Sequence, residues 1–219
     1  MSVRLIVFDL DGTLVDSLRD LAESANTLIV ECGGAGAALE DEAVAKMVGD
    51  GAATLVSRAF AAAGIPQPPD ALSRFLSIYD DRLLRHTRPY PGVPEALAAL
   101  SKRTKVCVLT NKPLAATRRI LDGLGLARFI DPRGVFGGDG PYPRKPDPAG
   151  LQALMTMAGV SPAATVLVGD SGVDLKTARA ARVGICLVRY GFGFENIADD
   201  CGPDALVVDR PSQFAELLL

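Results

Sequence analysis

The chain has 219 residues, of which 48% are hydrophobic and 22% charged, and its formal net charge is −3 at pH 7. That length suits a core domain carrying a subdomain, with ample apolar material to bury. The balance of charge leaves no broad basic surface, which excludes sequence-independent nucleic-acid binding through phosphate neutralisation. No apolar run reaches the roughly 20 residues of a membrane span, and no basic stretch precedes an apolar one at the N-terminus, so the expectation is a soluble, cytoplasmic protein with no membrane partner. Cys32, Cys107, Cys186 and Cys201 are scattered without a C-x-x-C pair, against a disulfide or zinc role. His86, the single histidine, has no Ser or Cys signature near it and reads as a polar residue near a helix end.

The first expected strand, Val3–Phe8, is an apolar run that stops at Asp9 and Asp11. Side chains at i and i+2 of extended chain point the same way, so the two carboxylates converge and repel unless a cation or proton separates them. Gly12 lets the backbone turn and offers N–H groups to an anion, and Thr13 adds a hydroxyl. Alone, the segment also reads as a strand end followed by an Asp-Gly turn. Ser17-Leu18-Arg19-Asp20 has the form of a capping box and opens a helix running to Gly33-Gly34. Helices at Glu40–Val48, Ala52–Ala63 and Asp70–Arg85 follow, broken at Gly49-Asp50-Gly51 and Gly64–Pro69. The prolines of Arg88-Pro89-Tyr90-Pro91-Gly92 end this stretch. Residues 16–88 are thus expected to form a helical cap over the carboxyl edge of a core built from residues 1–15 and 89–219.

Beyond the insertion, strands at Lys105–Leu109, Thr165–Val168, Ile185–Val188 and Ala205–Val208 alternate with helices at Pro94–Lys102, Leu114–Leu124, Pro148–Ala158 and Leu175–Ala181, with Gly125, Gly159 and Gly184 as helix stops. The expected fold class is α/β, a Rossmann-like parallel-sheet core with an inserted all-helical cap. Thr110 and Asn111 follow the strand Lys105–Leu109, and Asp170 and Asp174 follow the strand Thr165–Val168. If the strands are parallel neighbours, these groups join Asp9 and Asp11 on one edge. Pro146 biases Lys145 away from helix, and Asp147 can cap the helix from Pro148, which leaves Lys145 as a cation on a loop.

The set fits phosphoryl transfer. Mg²⁺ prefers oxygen ligands, one or two of them carboxylates, and Asp9 and Asp170 can supply those. A phosphoryl group in transfer needs cations and donors in place, and Lys145, the Thr110 hydroxyl and the N–H groups near Gly12 are candidates. Asp9 is the candidate carboxylate nucleophile, and Asp11 can protonate the leaving oxygen and then activate water.

With D-x-D-G-T-L at Asp9–Leu14, Thr110 at a strand end, K-P at Lys145-Pro146 and G-D-S-x-x-D at Gly169–Asp174, the chain resembles the haloacid dehalogenase superfamily of phosphatases over essentially its whole length. The resemblance implies Asp9 as nucleophile, Asp11 as acid/base, Thr110 and Lys145 as holders of the phosphoryl group, and Mg²⁺ bound by Asp9, the Asp11 carbonyl and Asp170, with Asp174 supporting. Gly49-Asp50-Gly51, Tyr90-Pro91-Gly92, Thr110-Asn111-Lys112 and Gly137-Gly138-Asp139 further resemble the phosphoglycolate phosphatase group. Gly12, Thr13, Asn111, Gly51 and Arg58 are then expected at the substrate, a small phosphorylated metabolite, and Arg58 or Arg19 could meet its carboxylate. The proline-rich Gly140–Pro143 departs from the pattern and could shift the lysine loop. The implied activity is 2-phosphoglycolate hydrolysis by a monomer or homodimer. A β-phosphoglucomutase-like enzyme or another sugar or small-metabolite phosphatase is the enzymatic alternative. A receiver-like phospho-aspartate signalling protein is the alternative from another class, although it would not need the cap.

Overall fold

The computed structural model describes residues 2–34 and 36–219. In chain order its strands are β1 (Leu5–Phe8), β2 (Val15–Asp16), β3 (Arg88–Pro89), β4 (Lys105–Leu109), β5 (Val135–Phe136), β6 (Thr165–Gly169), β7 (Gly184–Val188) and β8 (Leu206–Val208). The α-helices are α1 (Leu18–Glu31), α2 (Asp41–Ala45), α3 (Ala52–Ala63), α4 (Ala71–Arg82), α5 (Val93–Leu100), α6 (Leu114–Gly123), α7 (Ala149–Ala158), α8 (Gly172–Ala181) and α9 (Phe214–Leu218).

Six strands form one parallel sheet in the order β5-β4-β1-β6-β7-β8. β1 is buried throughout, as its unbroken apolar sequence requires when both faces of a parallel strand are covered. Ile6 and Phe8, with Val106, Val108, Val166 and Val168, face α5, α6 and α9. Leu5 and Val7, with Cys107, Leu109 and Leu167, face α7 and α8. Phe8 stands level with Val108 and Val168, so the residues after all three strands emerge on one edge.

The helices α1 to α4 are inserted between β2 and β3 and share an apolar cluster with the first face of the sheet. Two devices close this insertion at its root. Val15 and Asp16 pair antiparallel with Pro89 and Arg88. The fully buried Asp20 carboxylate accepts the Thr87 N–H and hydroxyl, each at 2.7 Å, and the His86 N–H at 2.9 Å. This replaces the capping box expected at Ser17 to Asp20: the Ser17 hydroxyl donates to Asp11 Oδ1 instead, at 2.5 Å. A buried carboxylate gains more from donors brought by a distant segment than from its own helix end, which water could satisfy.

Other boundaries shift. α2 stops at Ala45 rather than Val48, which frees Val48–Gly51 as a loop. α8 starts at Gly172 rather than Leu175 because Ser171 and Asp174 form a true capping box. β5, the β2–β3 pair and α9 were not expected. The three strands, of two residues each, are too short to show periodicity, and α9 is held by tertiary packing, with Phe214 edge-on to Phe8 at 5.6 Å.

Candidate active site

The carboxyl ends of β1, β4 and β6 bring Asp9, Asp11, Thr110, Asn111, Asp170 and Asp174 together, and the loop before α7 adds Lys145. Four charged groups form a buried cluster. Lys145 Nζ lies 2.9 Å from Asp9 Oδ1 and 2.6 Å from Asp174 Oδ1, and Asp9, Asp170 and Asp174 each offer an oxygen within 4.8 Å of the others. Asp174 serves two partners, since its Oδ2 accepts the Ser171 N–H and hydroxyl. Asp9 Oδ1 also accepts the Leu10 N–H at 2.7 Å, which leaves Oδ2 as its uncommitted oxygen.

Burial raises the Asp9 carboxyl to about 6, Lys145 pulling it down and Asp174 pushing it up. Asp170 is raised to about 8 by burial first and then by Asp174 and Asp9, although the N–H groups of Phe192 and Gly193 donate to it at 2.7 and 3.0 Å. Burial opposes the Lys145 charge, but the two facing carboxylates override it and hold the ammonium above its usual range. Three carboxylates against one ammonium leave two negative charges uncompensated in a buried volume, and a divalent cation with oxygen preference matches that deficit.

A second pair stands apart from this cluster. Lys112 Nζ is 3.0 Å from both oxygens of Asp11. Its ammonium lies 4.5 Å over the Tyr79 ring, which the insertion contributes from α4. Lys112 is buried. Burial works against its charge, yet Asp11 and Tyr79 more than compensate and raise its affinity for the proton. The sequence signals for it were its place two residues past a strand-end Thr and its part in the Thr110-Asn111-Lys112 run.

Gly12 contributes differently from expected. Its N–H is donated to Val15 O at 2.9 Å and is not offered to an anion. What matters is the missing side chain, since a Cβ there would sit 2.3 Å from Asp170 Oδ2, on a backbone with φ of +81°. Thr13, expected at the substrate, directs its hydroxyl to Asp170 Oδ1 at 3.4 Å. Tyr190, which sequence reasoning missed, donates to the Thr13 carbonyl at 3.1 Å. Thr110 keeps its hydroxyl at the site and accepts the Lys112 N–H at 3.2 Å. Asn111 spends its amide N–H groups on the Gly49 and Lys145 carbonyls, both at 2.9 Å, and so ties the insertion to the lysine loop.

A cavity of about 380 Å³ opens above Asp9, Asp11 and Thr110. Leu21, Val48, Leu55, Phe75 and Leu76 give it apolar walls, and Gly51 reaches it as expected. The two arginines do not reach it. Arg58 is held by Asp50 at 2.6 Å and by the Met47 carbonyl, and Arg19 by Glu23 at 3.0 Å on the surface. Each finds a nearby carboxylate without giving up hydration, which the apolar cavity wall could not offer. His86 lies outside the site, 3.7 Å from Glu23.

The sheet order, with the acidic groups at the carboxyl edge beside its central strand, defines a doubly wound α/β fold with its candidate site at that edge. The chain belongs to the haloacid dehalogenase-like hydrolases, whose family model matches residues 6–188. It is 43% identical over 204 residues to a phosphoglycolate phosphatase of Rhodospirillum rubrum, covering 89% of this chain and 83% of that one. A phosphoglycolate phosphatase of Pseudomonas syringae is 39% identical over 213 residues, 94% of this chain and 76% of the relative. The crystal structure of a predicted phosphoglycolate phosphatase from Haemophilus somnus superposes with a TM-score of 0.89 at 28% identity, covering 100% of this chain and 99% of that one. The enzyme class these relatives establish is phosphatase. Among the described residues, no helix is long and apolar enough to cross a membrane.

Proposed function

We propose that this phosphatase is a Mg²⁺-dependent phosphomonoester hydrolase that works through an aspartyl-phosphate and converts 2-phosphoglycolate to glycolate and phosphate. The observation that carries the reading is the asymmetry of the floor: a carboxylate cluster short of positive charge on one side of the scissile position and the Asp11–Lys112 pair on the other. Asp9, Asp170 and the Asp11 carbonyl would hold the metal, with Asp174 in support. The ion would supply charge to offset the phosphoryl oxygens.

The uncommitted Asp9 Oδ2 attacks phosphorus, the bond from phosphorus to the ester oxygen breaks, and Asp11, which enters this step in its protonated form, gives that oxygen its proton. Water then attacks the phosphorus of the acyl phosphate, Asp11 takes a proton from it, and Asp9 leaves as carboxylate. Lys145 and the Thr110 hydroxyl stand beside the phosphoryl oxygens as preset donors. Residues 16–88 act as a cap that keeps bulk water from the intermediate, with residues 1–15 and 89–219 as the catalytic core. The named substrate is supported by the relatives from Rhodospirillum and Pseudomonas. Four free cysteines suit a reducing cytoplasm.

The test is phosphate release with Mg²⁺ across 2-phosphoglycolate, sugar phosphates, nucleotides and pyridoxal phosphate, with product identification. Glycolate and inorganic phosphate from 2-phosphoglycolate are expected to dominate. A clear preference for another ester overturns the substrate, and an isomer in place of free phosphate overturns the hydrolase.

A further inference from the structure

Lys112 is the one cationic side chain among the residues that line the cavity, and nothing in the proposed chemical steps uses it. The walls beyond it are apolar, and an anionic group carried into them loses hydration unless a counter-charge meets it. The arginines of the insertion are engaged outside the cavity. The remaining acidic group at the mouth, Asp80, would repel an anion and is itself paired with Arg119.

We infer that Lys112, seated under Tyr79, is the specificity-determining residue that selects phosphate esters whose leaving group carries a carboxylate close to the ester oxygen. This rests on the phosphomonoesterase reading above and names the group that reads the alcohol side of the ester. An ammonium has three N–H donors, and Asp11 occupies at most two with its two oxygens at 3.0 Å. The Tyr79 ring, buried and 4.5 Å from Nζ, packs against the ammonium and restricts where it can move. Because Asp11 is the group that protonates the ester oxygen, a cation fixed on Asp11 is fixed near that oxygen too. A carboxylate one carbon away from it falls within reach, whereas a distant one would enter the apolar wall unpaired.

The experiment compares kcat/KM for 2-phosphoglycolate with that for its neutral isostere, carbamoylmethyl phosphate, in wild-type protein and in Lys112→Gln. Wild type is expected to prefer the acid by about 30-fold, the scale of a charge-assisted contact. In Lys112→Gln that preference is expected to fall at least about tenfold, beyond any shared loss from disturbing Asp11. A merely structural lysine lowers both esters equally and leaves the ratio unchanged, which overturns the inference. The wild-type ratio decides even where the variant does not fold, since equal rates on the two esters also overturn it. Hydrolysis of neither ester overturns 2-phosphoglycolate as the substrate and this inference with it.

Discussion

The two sides of the catalytic floor use the same residue types to opposite ends. Asp11 and Lys112 form a one-to-one pair, roofed by Tyr79, in which charge is balanced. Asp9, Asp170 and Asp174 crowd around Lys145 alone. Asp11 keeps 12% of its side chain exposed while Lys112 and the crowded groups are buried, but the larger difference between the two sides is stoichiometry. A balanced pair is complete in itself, while an unbalanced cluster stores repulsion that only protons or a bound cation relieve.

The hardest break of this contrast is Asp9→Asn. It removes the proposed nucleophile and one carboxylate of the crowded side, and steady-state assays are expected to show activity lower by about 10⁴-fold or more. The variant should nonetheless fold, because an uncompensated charge has been removed, and near-UV circular dichroism checks that. Retained turnover would exclude the covalent route. Metal removal acts on the same side: chelation with EDTA is expected to silence phosphate release, and Mg²⁺ at about 100 times its Kd to restore it with roughly 2.7 kcal/mol of added stability by calorimetry. No thermal shift on adding Mg²⁺ would contradict the charge-deficit argument.

Asp20 sharpens the comparison from elsewhere in the molecule. It too is a buried carboxylate, yet it has no ammonium and is satisfied by donors from His86 and Thr87 alone. Asp20→Ala orphans those donors at the root of the insertion and is expected to cost about 3 kcal/mol in urea unfolding. A loss below the uncertainty of extrapolation would mean that water replaces the carboxylate.

Asp170→Asn is expected to go the other way in metal-free protein. The folded pKa values of Asp9 and Asp170 lie near 6 and 8 against 3.8 for the free side chain. The native state therefore binds more protons than the unfolded chain, and metal-free stability falls as pH rises from about 4 to about 8. Asn cannot ionise, and its carbonyl can still accept the Phe192 and Gly193 N–H groups, so the variant should flatten this profile and gain about 1 kcal/mol near pH 8. A metal-free melting temperature that rises with pH would refute the repulsion.

The crowded side was the legible side. Its residues sit at the ends of long apolar runs, where a change from apolar to acidic marks the sheet edge, and Asp9, Thr110, Lys145, Asp170 and Asp174 all converge as the motifs predicted. The alternation of strands and helices likewise gave the parallel core. On the balanced side Asp11 was legible from its motif but its partner was not, because Lys112 differs from a solvated lysine only through Asp11, far back in the chain, and Tyr79, on a helix of the insertion. Distant pairings of this kind leave no local pattern. The same holds for Asp20 with Thr87 and for Thr13 with Asp170, where the local reading of a cap and of a substrate contact gave way to partners far along the chain.

The smallest effect belongs to the charge pair at the mouth, where Arg119 of α6 meets Asp80 of α4. It joins the core to the insertion, as Lys112 and Tyr79 do, but its side chains are 53% and 57% exposed. Water screens such a pair and two long side chains must be held still, so a double-mutant cycle with Arg119→Ala and Asp80→Ala is expected to give a coupling of about 0.2–1 kcal/mol, declining as salt is added. If the insertion moves to admit substrate, a contact this weak can break at every turnover without limiting it, whereas the buried contact at Lys112 cannot part so cheaply. Coupling well above that range, undiminished by salt, would place the barrier to opening at the mouth rather than over Lys112.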